Sequence, residues 1–387
     1  MQPAPHLEKI QTPPITEVKR WIGGRIFPQN RPLVDLCQAI PSYSPAPQLM
    51  EYMKGVMTDP SSYIYSPDEG LPEVREDVTH WYQRQYKSGP SAHQLCLTIG
   101  ASQAFWLALI CLCQPGDEVI IQLPAYFDHL MGLQALGIKP VFAPFDPTTA
   151  GRPNIQTIKH LISDKTKAIL LVTPSNPTGA TIDHSMAEDL FLLAKSHNIS
   201  LILDETYNAF VGHQPHQLFS HLDWSEHFVH IASFGKTFAL TGMRSGALIA
   251  SELIIEQALK VQDSMVVCQS RPAQLALAYG CRYLDEWVAK NTTMMQQRHD
   301  SFKDQFLAAD LNFELSSSGS FFAWIKHPWT QMSGRQVAKK LSDESNLICL
   351  PGEAFGPGLE PYLRLAFGNI EQEQIPRAIS RFKELKA

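Results

Sequence analysis

An α/β architecture, in which a mainly parallel sheet is covered by helices and joined to a smaller α/β unit, is predicted by three features of this 387-residue chain. Short, wholly apolar runs recur between residues 97 and 250. Several of the segments between them have helical periodicity. After residue 251 the pattern changes to long polar–apolar stretches. Runs without polar alternation are how strands buried on both faces read, and their alternation with helices is the mark of a parallel, helix-covered sheet.

In chain order, the first thirty residues are rich in proline, contain Trp21-Ile-Gly-Gly24 and read as an arm. Leu95-Cys-Leu-Thr98 reads as a strand, and Gly100-Ala-Ser-Gln103 opens an apolar helix that includes 105–113. Strand-like runs follow at 118–122, 141–143, 168–172, 201–203, 228–232 and 246–250, with helical segments at 154–162 and 186–195. The stretch 272–306 reads as a long helix, leading into strand-like segments within 313–325, 347–350 and 362–367.

Composition narrows the function classes. With 44% hydrophobic and 18% charged residues the chain can bury a large core, and its length suggests two or three domains. A net charge of −6 gives no general attraction to nucleic acid. The N-terminus lacks a basic start followed by an apolar core, and the longest apolar run, 104–113, is too short to span a bilayer. A soluble, intracellular and therefore cytoplasmic protein is the expectation. The cysteines at 37, 96, 111, 113, 268, 281 and 349 are odd in number and scattered, so reduced core residues are expected.

Three groups carry chemistry. Lys236 follows the apolar run His230-Ile-Ala and lies eight residues before Arg244; Asp204 follows Leu201-Ile-Leu; Asn176-Pro-Thr-Gly179 lies upstream of both. Lysine and aspartate at strand ends would face the crevice where open α/β sheets bind ligands. An amine able to form a Schiff base, a carboxylate able to keep a pyridine nitrogen protonated and an arginine suited to phosphate are the set that pyridoxal 5′-phosphate requires. The free N–H groups of Ala101, Ser102 and Gln103 at a helix start, with the hydroxyls of Ser102 and Ser233, would add phosphate donors. Asp204 could instead be a helix cap, since aspartate caps well. Glu205 is assigned a structural place, its side chain pointing away from that of Asp204.

With these motifs in order, the chain from about Leu36 to Arg364 resembles the class I and II aminotransferases of pyridoxal-phosphate fold type I. The resemblance rests also on Tyr65-Ser-Pro-Asp-Glu-Gly70, Pro124-Ala-Tyr126, Asp204-Glu-Thr-Tyr207, Pro351-Gly-Glu-Ala-Phe-Gly356 and Arg364. It implies a large domain near 46–285 and a small domain made of 1–45 with 286–387. It implies further that Tyr126 stacks on the cofactor ring, with Phe127 as a substitute, and that Asn176 and Tyr207 donate to its phenolic oxygen. Arg364 would clamp the substrate α-carboxylate, beside Asn176. Tyr65 would reach the phosphate of a neighbouring subunit, which makes a homodimer the expected partner state. Lys236 would then shuttle the α-proton in a two-step, ping-pong exchange of an amino group between an amino acid and a 2-oxo acid.

The chain departs from the family pattern twice. Ala39 stands before Ile40-Pro41 where glycine is usual, which leaves backbone contact of Ala39 with substrate open but less free to approach. Gly235 replaces the serine common before the lysine, leaving Ser233 to supply a hydroxyl. Arg271 could read an acidic side chain or pair at a subunit interface. The histidines at 213, 216, 221, 227 and 230 are read as lacking companion carboxylate or cysteine ligands, and no metal is expected. Alternatives are a carbon–sulfur β-lyase or other α-carbon chemistry on the same cofactor, including oxidation, and more remotely a non-catalytic cofactor sensor.

Overall fold

The apolar runs form a seven-stranded sheet in the structure, a computed structural model that describes residues 1–212 and 215–385. Its strands are β1 (Leu95–Ile99), β2 (Glu118–Gln122), β3 (Lys139–Ala143), β4 (Thr166–Val172), β5 (Ser200–Asp204), β6 (Phe228–Ala232) and β7 (Ser245–Ile249). They lie in the order β1-β7-β6-β5-β4-β2-β3, and only β7 runs against its neighbours. Every sequence-predicted strand from 95 to 250 is present, shifted at most two residues at its ends. Successive side chains of a strand point to opposite faces, and here both faces are covered. Leu201 and Leu203 of β5 join one apolar cluster, with Phe191 and Phe228, while Ile202 joins another, with Phe105 and Leu130.

Helix α1 (Gly100–Leu112) leaves β1 directly and α2 (Phe127–Ala135) follows β2, so both helix starts lie at strand carboxyl ends. The segment 272–306 is two helices rather than one. Arg271–Tyr283 ends at Leu284, whose φ −112° and ψ 13° leave the helical region, and Asp285–Ala308 begins again. Leu284 is fully buried in the core. Packing therefore sets the break, and Asp285 and Glu286 suit the new helix start by its dipole.

A second sheet, four-stranded and antiparallel, contains β8 (Glu314–Gly319), β9 (Phe322–Lys326), β10 (Leu350–Pro351) and β11 (Tyr362–Ala366) in the order β10-β11-β9-β8. Val34–Asp35 pairs in parallel with Leu347–Ile348, which ties the N-terminal segment to this unit. Contact between the two sheets' elements is close at Gly179 and Gly319: a Cβ on either would come within 2.2 Å of the other's backbone. Ser317 Oγ donates to the carbonyl of Thr178 at 2.9 Å, fixing the 176–179 turn against β8.

Candidate active site

Carboxyl ends of the parallel strands deliver the predicted residues to one place. Asp204 ends β5 and pairs in register with Val172 at the end of β4 and with Ile231 near the end of β6. Asn176 follows β4, Tyr126 follows β2, Ser233 and Lys236 follow β6, and Ala101 and Ser102 open α1 after β1. Ala101, Ser102, Tyr126, Asn176, Asp204, Tyr207, Ser233, Lys236 and Arg244 all line a single cavity of about 430 Å³.

Lys236 reaches the cavity from a short helix, Phe234–Thr237, and its Nζ donates to the carbonyl of Ala39 at 2.9 Å. Burial, with further push from the guanidinium groups of Arg244 and Arg364, lowers the lysine to about 8. An appreciable share of it is thus neutral near physiological pH. Arg244 lies over the first turn of α1. A Cβ on Gly100 would come within 2.6 Å of its Nη2, and Gly100 has φ 74°, so glycine is required for both space and backbone. Guanidinium and free helix-start N–H groups converge there as an anion cradle.

Arg364, in β11, is buried between the rings of Phe322 and Phe355, each centroid 5.7 Å from its guanidinium carbon. Its Nη1 donates to Asn176 Oδ1 at 3.3 Å and its Nη2 to the carbonyl of Cys37, while its buried Nε has no partner among the described residues. A buried donor left over on a planar fork is suited to an incoming carboxylate. Asn176 Nδ2 donates to Tyr207 Oη at 3.4 Å, and burial raises the Tyr207 phenol, keeping it protonated.

Two residues that sequence reasoning missed complete the cavity. His129 Nε2 lies 3.0 Å from Asp204 Oδ2, with both side chains buried, and Thr206 N–H donates to Asp204 Oδ1 at 3.0 Å. Tyr126 Oη donates to Asp128 Oδ2 at 2.7 Å; burial raises the Asp128 carboxyl and holds the Tyr126 phenol well above its ordinary range. The available signal was the spacing Tyr126-Phe-Asp-His129, which puts these groups on the first turn of α2. Ile10 also lines the cavity, and Gln11 Nε2 donates to the carbonyl of Ala354 at 3.1 Å, so the N-terminal arm lies over the site.

Other predicted residues sit elsewhere. Gln103 turns its side chain to the N–H of Ile99 and to Met265, away from the cavity. Tyr65 is 80% exposed. Phe127 packs on Phe355 and does not line the cavity, whereas Tyr126 does. Ala39 meets Lys236 through its carbonyl, and Arg271 donates to the carbonyl of Ser61 at 2.9 Å and to Ser66 Oγ at 3.4 Å. One sequence reading is corrected: His216 and His230 do have a companion carboxylate, since Glu205 comes within 3.4 Å of each ring. Its side chain meets His230 of β6 and His216 of the connection that leads to it. His213 lies outside the described residues. No helix among the described residues is long and apolar enough to cross a membrane, and all seven cysteines are free.

Comparison with known proteins places this geometry. The family model "Aminotransferase class I and II" matches residues 31–382. An aspartate aminotransferase of Pyrococcus abyssi is 28% identical over 353 residues, covering 89% of each chain. An aromatic aminotransferase of Arabidopsis thaliana is 26% identical over 359 residues, covering 91% of this chain and 89% of its own. Among solved structures, YbdL from Escherichia coli, described with a methionine aminotransferase function, superposes with a TM-score of 0.88 over the whole of both chains at 24% identity.

Proposed function

The chain belongs to the class I and II aminotransferases, and from that premise we propose which of its residues perform each task of the transfer. It is a pyridoxal-phosphate-dependent enzyme that exchanges an amino group between an amino acid and a 2-oxo acid. The bound coenzyme supplies an aldehyde to take the amino group and a ring to accept electrons. The residues present fit it: an amine, a carboxylate and a phosphate cradle meet in one cavity, and Gly100 keeps the cradle free of a Cβ.

In this reading Lys236 would anchor the coenzyme, and its Nζ, once freed, would take the substrate α-proton and hand it back. Its lowered proton affinity suits both directions of transfer. Asp204 would hold the proton on the coenzyme's ring nitrogen, with His129 keeping Asp204 aimed. Tyr126 would pack on the ring, and Tyr207 and Asn176 would serve its phenolic oxygen. Ala101, Ser102, Ser233 and Arg244 would hold the phosphate, with Gln103 adding only its backbone N–H. Arg364 orients the substrate carboxylate through the fork whose Nε is unpartnered, beside Asn176.

Residues 46–285 then form the large domain and 1–45 with 286–387 the small one, a division supported by the separate four-stranded sheet and the pairing of Val34–Asp35 with Leu347–Ile348. Exposed Tyr65 supports a homodimer in which it completes the partner's phosphate site. Relatives named for transamination of aspartate and aromatic amino acids favour transfer over the β-lyase, oxidation and sensor readings.

The observation that carries the assignment is Lys236 and Asp204 lining the same cavity as Arg244. Lys236→Ala tests it. Borohydride treatment of the variant should leave no coenzyme fixed to the chain, and amino exchange with 2-oxoglutarate should fall by several orders of magnitude. A lysine-linked coenzyme surviving in that variant refutes the assignment.

A further inference from the structure

We propose that Glu205, His216 and His230 form a binding site for a divalent transition-metal ion, zinc by the chemistry of its ligands, in a second cavity separate from the one that Asp204 lines. Glu205 directly follows β5, His230 lies in β6 and His216 lies in the connection between them. All three are nearly fully buried, and one ligand atom from each falls within 4.8 Å of the others.

The distances distinguish a metal site from a hydrogen-bonded cluster. His216 Nε2 stands 3.4 Å from Glu205 Oε1, and His230 Nδ1 stands 3.4 Å from Glu205 Oε2. Both ring nitrogens are buried and have no hydrogen-bond partner among the described residues. A charge-assisted N–H to carboxylate bond closes to about 2.7–2.9 Å. Two ligands on a tetrahedral zinc with bonds of about 2.0–2.1 Å stand about 3.3–3.4 Å apart. Each of the two separations matches the second geometry, the histidines facing different oxygens of Glu205, so the carboxylate would bind through both.

Surrounding groups hold the three in place, as outer partners hold metal ligands generally. Tyr82 Oη lies 2.7 Å from His230 Nε2; with the ring proton there, Nδ1 presents its lone pair to the ion. Tyr86 Oη donates to Glu205 Oε2 and itself accepts from Asn208 Nδ2 at 2.6 Å. Leu218 N–H donates to His216 Nδ1 at 3.2 Å. That contact puts the ring proton on Nε2, so binding an ion through Nε2 moves the proton to Nδ1 and breaks the Leu218 contact.

Two imidazoles and one carboxylate select zinc over magnesium or calcium. Glu205 and His216 border a cavity of about 740 Å³, also lined by Trp81, Tyr86 and Asn208, so a fourth ligand position can open to water.

To test this, holoenzyme is stripped with a chelator and equilibrated with buffered micromolar zinc, and the metal retained through gel filtration is counted. One zinc per chain is expected, with at least tenfold weaker binding in His216→Ala and in Glu205→Gln, while His216→Ala keeps its coenzyme absorbance and amino-transfer activity. Cobalt(II) in the same site should give visible d–d bands without a thiolate charge-transfer band. Because a variant can fail to fold, an anomalous-scattering map of wild-type crystals at the zinc edge is the second measurement, with a peak expected between Glu205 and His230. No retained zinc, undiminished binding in His216→Ala, a thiolate band, or an anomalous peak only at the coenzyme or elsewhere overturns the proposal.

Discussion

His129 stands between Phe105 and Asp204: its ring lies 4.4 Å from that of Phe105, and its Nε2 lies 3.0 Å from Asp204 Oδ2. With the ring proton on Nε2, it donates to a buried carboxylate that, among the described residues, receives one other donor, the N–H of Thr206. A hydrogen bond to a charged group of this kind contributes about 1.5–3 kcal/mol. His129→Ala is therefore expected to lower kcat/KM by about ten- to hundredfold and to weaken coenzyme retention, while His129→Asn, which restores a donor, recovers part of both. Steady-state kinetics with a coenzyme titration checks it. Unchanged values in His129→Ala would show that Asp204 needs no such support.

The path from sequence to this pair shows what was legible. Apolar runs such as Leu201-Ile-Leu203 announce buried strands, because a strand covered on both faces has no polar residue to interrupt it. Lys236 and Asp204 were legible because each ends such a run. His129 was not, since its partner is 75 positions away and only the order β5-β4-β2 brings them together. The same applies to Lys236 with the carbonyl of Ala39, 197 positions apart. The division at Leu284 was hidden for another reason: a buried leucine continues the helical pattern while its backbone leaves it.

Lys236 yields a prediction about pH. Burial lowers it from the ordinary lysine value to about 8. Only the neutral amine adds to an aldehyde, so capture of coenzyme by the coenzyme-free protein should accelerate as pH rises and level off above about 8. The folded chain binds fewer protons here than the unfolded chain between about 8 and the usual lysine range, so this group makes coenzyme-free protein more stable as pH rises through that window. Arg244→Gln removes a nearby positive charge and should move the capture midpoint to higher pH. Stopped-flow absorbance against pH reads both values, and a midpoint near 10 in wild type would contradict the burial argument.

Arg364 should govern substrate binding through shape as much as charge. Its fork is held by Asn176, the carbonyl of Cys37 and two aromatic rings, leaving Nε to an incoming carboxylate. Lysine keeps the charge but loses the planar fork. Arg364→Lys is expected to raise the KM for amino and 2-oxo acids by about tenfold or more, since charge-assisted bonds contribute about 1.5–3 kcal/mol. The coenzyme absorbance should persist. Equal KM increases for an amine substrate lacking the carboxylate would mean that the substitution acts through general disturbance.

Tyr65 makes the quaternary prediction. It is 80% exposed and lies near other exposed apolar residues, Met57 at 48%, Tyr63 at 65% and Ile64 at 60%, a surface that a second chain could cover. If a second copy covers this surface and Tyr65 reaches its phosphate, Tyr65→Phe removes one donor without disturbing the interface. Coenzyme affinity should then fall by about tenfold while the mass in solution stays that of a dimer. Ile64→Asp places a charge on the covered surface and should shift the mass toward one chain, with coenzyme retention falling in parallel. Light scattering coupled to gel filtration separates the two effects; a wild-type chain that stays monomeric at micromolar concentration would leave Tyr65 with no phosphate to reach.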